Sequence, residues 1–142
     1  MITAEMNQSL LKGGQKFPEK RLKQVLRFVE RIAEPRLYTV SIAFVSSLAM
    51  RKANRIYRKK DCVTDVLSFN LASDHGELLI CYDQARKQAR QMKHSVADEV
   101  TFLIVHGILH LFGHDHERSQ DAKAMFSIQE KILEALRVNP RV

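Results

Sequence analysis

The stretch DEVTFLIVHGILHLFGHDH, residues 98–116, decides how the rest of the chain is read. From Val100 to Phe112 it is apolar except for Thr101, Gly107 and two histidines. A helix that is apolar on all sides belongs in the middle of a protein. Burying an imidazole there without a partner is costly, so the histidines need a reason. His106 and His110 are four apart and lie on one helix face, one turn from each other. Gly113 follows, a residue suited to ending a helix in the left-handed conformation. A chain that reverses there can bring His116 back toward the first two. Three neutral imidazoles with a fourth position open are what a catalytic zinc site requires, so His106, His110 and His116 are the expected ligands of one zinc ion.

A single histidine on an apolar helix is usually a hydrogen-bonded core residue. A second at i+4 and a third beyond a glycine turn favour a metal site. The spacing matches the metzincin pattern H-E-x-x-H-x-x-G-x-x-H, with Gly107 in place of the glutamate. In zinc peptidases that glutamate is the general base, so the ligand spacing is present and the peptidase base is not.

HGILHLFGHDH, residues 106–116, resembles the H-G-x-L-H-L-x-G-[YH]-D-H signature of the YbeY family of bacterial endoribonucleases. NRIYRKKDCVTDVLSF, residues 54–69, is similar to that family's N-x-x-Y-R-x-K-D-x-P-T-D-V-L-S-F-P. GELLIC, residues 76–81, is similar to its G-D-I-V-I-C strand. The resemblance is close over residues 54–117 and looser in the flanks. Val63 and Asn70 stand where the family usually has prolines, and Glu77 replaces an aspartate; these departures bear on loop shape rather than on the metal site. The resemblance implies a zinc-dependent endoribonuclease directed at single strands. It also implies roles in maturing the 3′ end of small-subunit ribosomal RNA and in ribosome quality control.

The 142 residues fit one domain spanning 1–142. Apolar residues make up 45%, enough for a core, and 23 Lys+Arg against 16 Asp+Glu leave a net charge of +7. That balance favours an anionic partner, and its placement must decide. Cys62 and Cys81 have no CxxC spacing, as expected of free thiols in a reducing compartment. The N-terminus is polar by Glu5 and no apolar run reaches the ~18 residues of a membrane span. The expectation is a soluble cytoplasmic protein with no membrane contact.

In chain order, residues 2–6 suggest a short strand. Leu22, Val25, Leu26, Val29 and Ile32 mark a helix ending before Pro35. LYTVSIAFV, residues 37–45, reads as a strand. Ser46 or Ser47 caps a helix whose apolar side is expected at Leu48, Ala49, Ala53 and Ile56. Arg51, Arg55, Arg58 and Lys59 recur on its other side, and residues 51–60 hold six basic residues (with Lys52 and Lys60) and no acidic one. A solvated face explains such a stripe equally well, but uncompensated charge at this density is naturally matched by a polyanion. Residues 65–70 and 76–82 suggest a hairpin, with His75 exposed in its turn. Asp83 starts a helix over Ala85, Ala89 and Met92, with His94 placed against its C-terminus. Ser95 and Asp98 resemble a capping box opening the central helix. A last helix, 117–137, carries Met125, Ile128, Ile132, Leu133 and Leu136. The order β-α-β-α-β-β-α-α-α suggests an α+β fold, with a small mixed sheet packed on the central apolar helix and further helices around it.

Zinc on three imidazoles lowers the pKa of a bound water and can serve phosphodiester or amide cleavage. Phosphodiester cleavage builds charge on non-bridging oxygens, which a guanidinium meets bidentately. Arg58, at the end of the basic stripe and on a signature arginine, is the expected catalytic residue. His114 is expected to line the site rather than ligate, and Asp115 to orient an imidazole or cap the next helix. Glu117 is a weaker candidate for a base; Thr64, Asp65 and Ser68 belong to the second signature without an assigned role. The expected partner is RNA, ribosomal RNA of the small subunit in particular. The rival readings are a metzincin-like peptidase and an RNA-binding assembly factor with structural zinc.

Overall fold

Strand β2, Tyr38–Val45, carries the alternation read in the sequence: Tyr38, Val40, Ile42 and Phe44 are buried and the residues between them are not. Successive side chains of a strand face opposite ways, so one face of β2 is core. The computed structural model describes residues 1–33, 37–113 and 119–138. Around β2 runs a four-stranded sheet of order β1-β2-β4-β3, with β1 at Ile2–Asn7, β3 at Val66–Ala72 and β4 at His75–Cys81. β1 and β4 lie parallel to β2, and β3 pairs antiparallel with β4. Parallel neighbours need a crossover. Helix α1, Glu19–Ile32, connects β1 to β2; helix α2, Ser47–Arg58, and then β3 lie between β2 and β4. The fold is α+β with a mixed sheet, as the element order suggests.

Helix α4, Val96–Leu111, is the central helix of residues 98–116. Ser95 caps it by accepting from the Asp98 N–H. Eleven of its residues are buried, Glu99 and Thr101 among them. It is enclosed by β3, β4 and α1, and by α3 (Tyr82–Met92) and α5 (Ser119–Ala135). Ile104, Ile108 and Leu109 are 0% exposed, and each such side chain contributes roughly 1.5–3 kcal/mol of transfer free energy. Gly107 permits the close approach: a Cβ there would lie 2.6 Å from Leu78 Cδ2 on β4. The helix stops at Phe112, and Gly113 follows at φ +90°, a conformation glycine adopts without steric cost. No helix among the described residues is long and apolar enough to cross a membrane.

Two local expectations are corrected. Leu48 and Ile56 are 80% and 55% exposed, so they are not the buried side of α2. The residues it buries are Met50 and Asn54; Met50 packs with Leu67 and Cys81 on the sheet face away from α4. Asn54 goes inside because its amide donates to the Cys62 carbonyl at 2.9 Å, tying down the loop after the helix. His75 is not a turn residue either. It opens β4, half-buried, with Nε2 3.0 Å from Ser41 Oγ on the neighbouring strand.

Candidate active site

Phe102, His106 and His110 succeed one another at i, i+4, i+8 on α4, the first two rings stacked at 5.8 Å between centroids. The His106 and His110 Nε2 atoms stand 3.1 Å apart. The other nitrogen of His106, Nδ1, is 2.8 Å from Gln129 Oε1 on α5. An amide oxygen only accepts, so Nδ1 carries the proton and Nε2 keeps its lone pair. This is the arrangement that outer-shell acceptors impose on metal-binding histidines. Two nitrogens at zinc–nitrogen distance and near-tetrahedral angle lie about 3.3 Å apart. The observed spacing therefore fits a shared ion. Among the described residues no group of three His, Cys, Asp or Glu side chains is placed to hold a metal. His116, the expected third ligand, lies outside the described residues, as do His114, Asp115 and Glu117.

Both imidazoles open on a cavity of about 480 Å³. Its opposite wall comes from a different part of the chain: Tyr57 and Arg58 at the end of α2, then Thr64, Asp65 and Ser68 around the start of β3. Arg58 is exposed, and no carboxylate among the described residues pairs with it. Its neighbour on the stripe differs. Arg51 donates to Asp61 at 2.9 and 3.3 Å. That hydrogen bond and the attached charge hold the Asp61 carboxyl below its ordinary range and raise the guanidinium. The charge that seemed uncompensated over residues 51–60 is met, at Arg51, by the first residue beyond it.

Two parts of the site went unread in the sequence, and a third was noted there without a role. Gln129 is one; the signal was a polar residue at i+4 from Met125 and three before Ile132, on the apolar stripe of the last helix. The second is the group behind Asp65. Gln88 Nε2 donates to Asp65 Oδ2 at 3.1 Å and to Glu99 Oε2 at 2.9 Å. Glu99 Oε1 meets His94 Nε2 at 2.7 Å. His94 was expected against the end of α3, but its ring reaches the fully buried Glu99 instead. An unsolvated carboxylate is a stronger attraction than a helix terminus. The third is Asp65 itself, which the sequence singled out without a role and the fold brings to the cavity.

A mixed sheet backing a buried helix, with two imidazoles and a guanidinium around one cavity, makes up the candidate site on this α+β scaffold. A family model described as Endoribonuclease YbeY matches residues 4–137. An Endoribonuclease YbeY of Carboxydothermus hydrogenoformans is 46% identical over 108 residues, 72% of this chain and 76% of the relative. One of Phytoplasma mali is 38% identical over 130 residues, 89% and 84% of the two chains. The solution structure of TM1509 from Thermotoga maritima superposes with a TM-score of 0.65 at 28% identity, covering 96% of this chain and 92% of that one. The chain belongs to the YbeY endoribonuclease family.

Proposed function

We propose that this protein is a zinc-dependent endoribonuclease that cuts unpaired RNA, and that its substrate is small-subunit ribosomal RNA near its 3′ end. A role in ribosome quality control follows from the same family resemblance. The observation that carries the reading is the convergence of Arg58 with His106 and His110 on one cavity. His106 and His110 supply two ligands, and His116, just past the Gly113 turn, is the third. Zinc so held would supply Lewis acidity and an activated water. Arg58 offers a planar fork, with no carboxylate claiming it among the described residues, to the oxygens that gain charge as the phosphodiester breaks. Gln129 keeps His106 in the tautomer whose Nε2 can ligate.

The packing weighs against the peptidase. A Cβ at position 107 would lie 2.6 Å from Leu78 Cδ2, so a glutamate there, the base of that chemistry, would require the Leu78 side chain to shift in the contact between α4 and β4. An open cavity likewise disfavours a closed structural zinc site. The test combines metal analysis of the purified protein with incubation on single-stranded RNA and on casein. About one zinc per chain is expected, with RNA cut and casein intact. His106→Ala should lose metal and cleavage together. Arg58→Ala should keep metal and fold and lose cleavage by about 10²–10³-fold, with little recovery in Arg58→Lys. Casein cleavage that depends on His106, or wild-type RNA cleavage in Arg58→Ala, overturns the proposal.

A further inference from the structure

A carboxylate is an odd lining for a cavity that receives a polyanion. Asp65 nevertheless lines it, together with Arg58, His106 and His110. No cation pairs with Asp65 among the described residues. Its placement is also heavily supported. Oδ1 accepts from the Val66 N–H at 2.8 Å and from the Thr64 hydroxyl at 3.4 Å, and Oδ2 accepts from Gln88 Nε2 at 3.1 Å. Gln88 cannot swing away, because the same amide nitrogen donates to Glu99, whose other oxygen is held by His94. Three segments of the chain thus fix the direction of one carboxylate beside an open space.

An ionised carboxylate only accepts hydrogen bonds, and its two oxygens have about four acceptor sites, which these three donors do not exhaust. A nucleic-acid strand offers few donors: the N–H groups of its bases and, in RNA alone, the ribose 2′-hydroxyl. The ribose is covalently next to the phosphate and so lies nearest to what Arg58 engages. We infer that Asp65 accepts a hydrogen bond from a ribose 2′-hydroxyl and makes the site prefer RNA over DNA, with Gln88 as the positioning residue that aims it. This rests on the nuclease reading for the identity of the ligand. It goes beyond that reading by naming how the sugar is recognised.

The experiment compares binding of one single-stranded sequence as ribo-, 2′-deoxy- and 2′-O-methyl-oligonucleotide, by fluorescence anisotropy on ice before cleavage accumulates. A hydrogen bond to a charged acceptor should give the wild type a preference for the ribo form of roughly tenfold over either analogue. Asp65→Ala should bring that ratio to within about twofold, whereas Asp65→Asn, whose amide oxygen still accepts, should keep most of it. Gln88→Leu leaves the carboxylate in place but unaimed, and should lower the ratio part of the way. A carboxylate that merely caps the start of β3 would change the melting temperature and leave the ratio alone. An unchanged ratio in Asp65→Ala, or no preference in the wild type, overturns the inference; if the alanine variant folds poorly, Gln88→Leu keeps the question answerable, since an unchanged ratio there overturns the inference as well. Absence of RNA cleavage with the stated binding ratios would sink the nuclease reading and not this one.

Discussion

The two ends of α4 each hold histidine, and they use it in opposite ways. Near the N-terminal end, His94 points its Nε2 at Glu99, in a pair whose side chains are 11% and 0% exposed. Near the C-terminal end, His106 and His110 turn their Nε2 atoms toward each other and toward a cavity. The first imidazole has its partner inside the protein and serves the fold. The second pair shares its nitrogens at a spacing that fits an ion. What separates structure from function here is not the residue type or the burial of the backbone, but what faces the ring nitrogen.

The sharpest way to break the comparison is at the closed end. Glu99→Ala leaves His94 and Gln88 without their buried acceptor. Leaving a buried donor unsatisfied costs about 1–3 kcal/mol, and a loss of that size in urea unfolding is expected. The zinc content of the folded fraction should not change, because the acceptor that meets His106 Nδ1 is Gln129. Loss of zinc in step with stability would mean that the two ends are one site.

A smaller effect is expected at the open end. Gln129→Leu removes the acceptor for His106 Nδ1 and places an apolar side chain beside Met125 and Ile132. Stability should change little, while zinc affinity measured by chelator competition should fall about 10–100-fold. Unchanged affinity would show that the tautomer of His106 is not set by Gln129.

The smallest effect carries the same contrast to the surface of α2, where Arg51 is hydrogen-bonded to Asp61 and Arg55 makes no ion pair among the described residues. If RNA tracks this helix, Arg55→Gln should reduce the slope of log affinity against log salt by about 0.7, one phosphate on a single strand. Arg51→Gln should reduce it less, since Asp61 already neutralises that guanidinium. Asp61 is held below the ordinary carboxylate range, so the pair's contribution is full above that range, shrinks as pH falls through it, and is gone once pH passes below the lowered value. Equal slopes for the two variants at neutral pH would remove the distinction.

Much of this was legible along the chain. An all-apolar run gave α4 as the buried centre, and the i, i+4 spacing put His106 and His110 on one face. Ser95, Gly113 and the alternation of Tyr38–Val45 marked their elements correctly. These features depend on the rise and period of a helix or strand, which neighbouring residues set among themselves. The side of α2 that turns inward was not legible, because Leu48 and Ile56 are more apolar than Asn54 and only the Cys62 carbonyl makes Asn54 the better buried residue. Nor were the pairing of His94 with Glu99, the reach of Gln129 from α5, or the arrival of Asp65 opposite the histidines. The sequence by itself determined the elements and the pair of imidazoles, since local geometry suffices for both. Which carboxylate, amide and guanidinium meet those imidazoles was decided only by tertiary structure. Those partners come from separate elements, and what brings them together is the packing of helices and sheet around α4, which no spacing along the chain encodes.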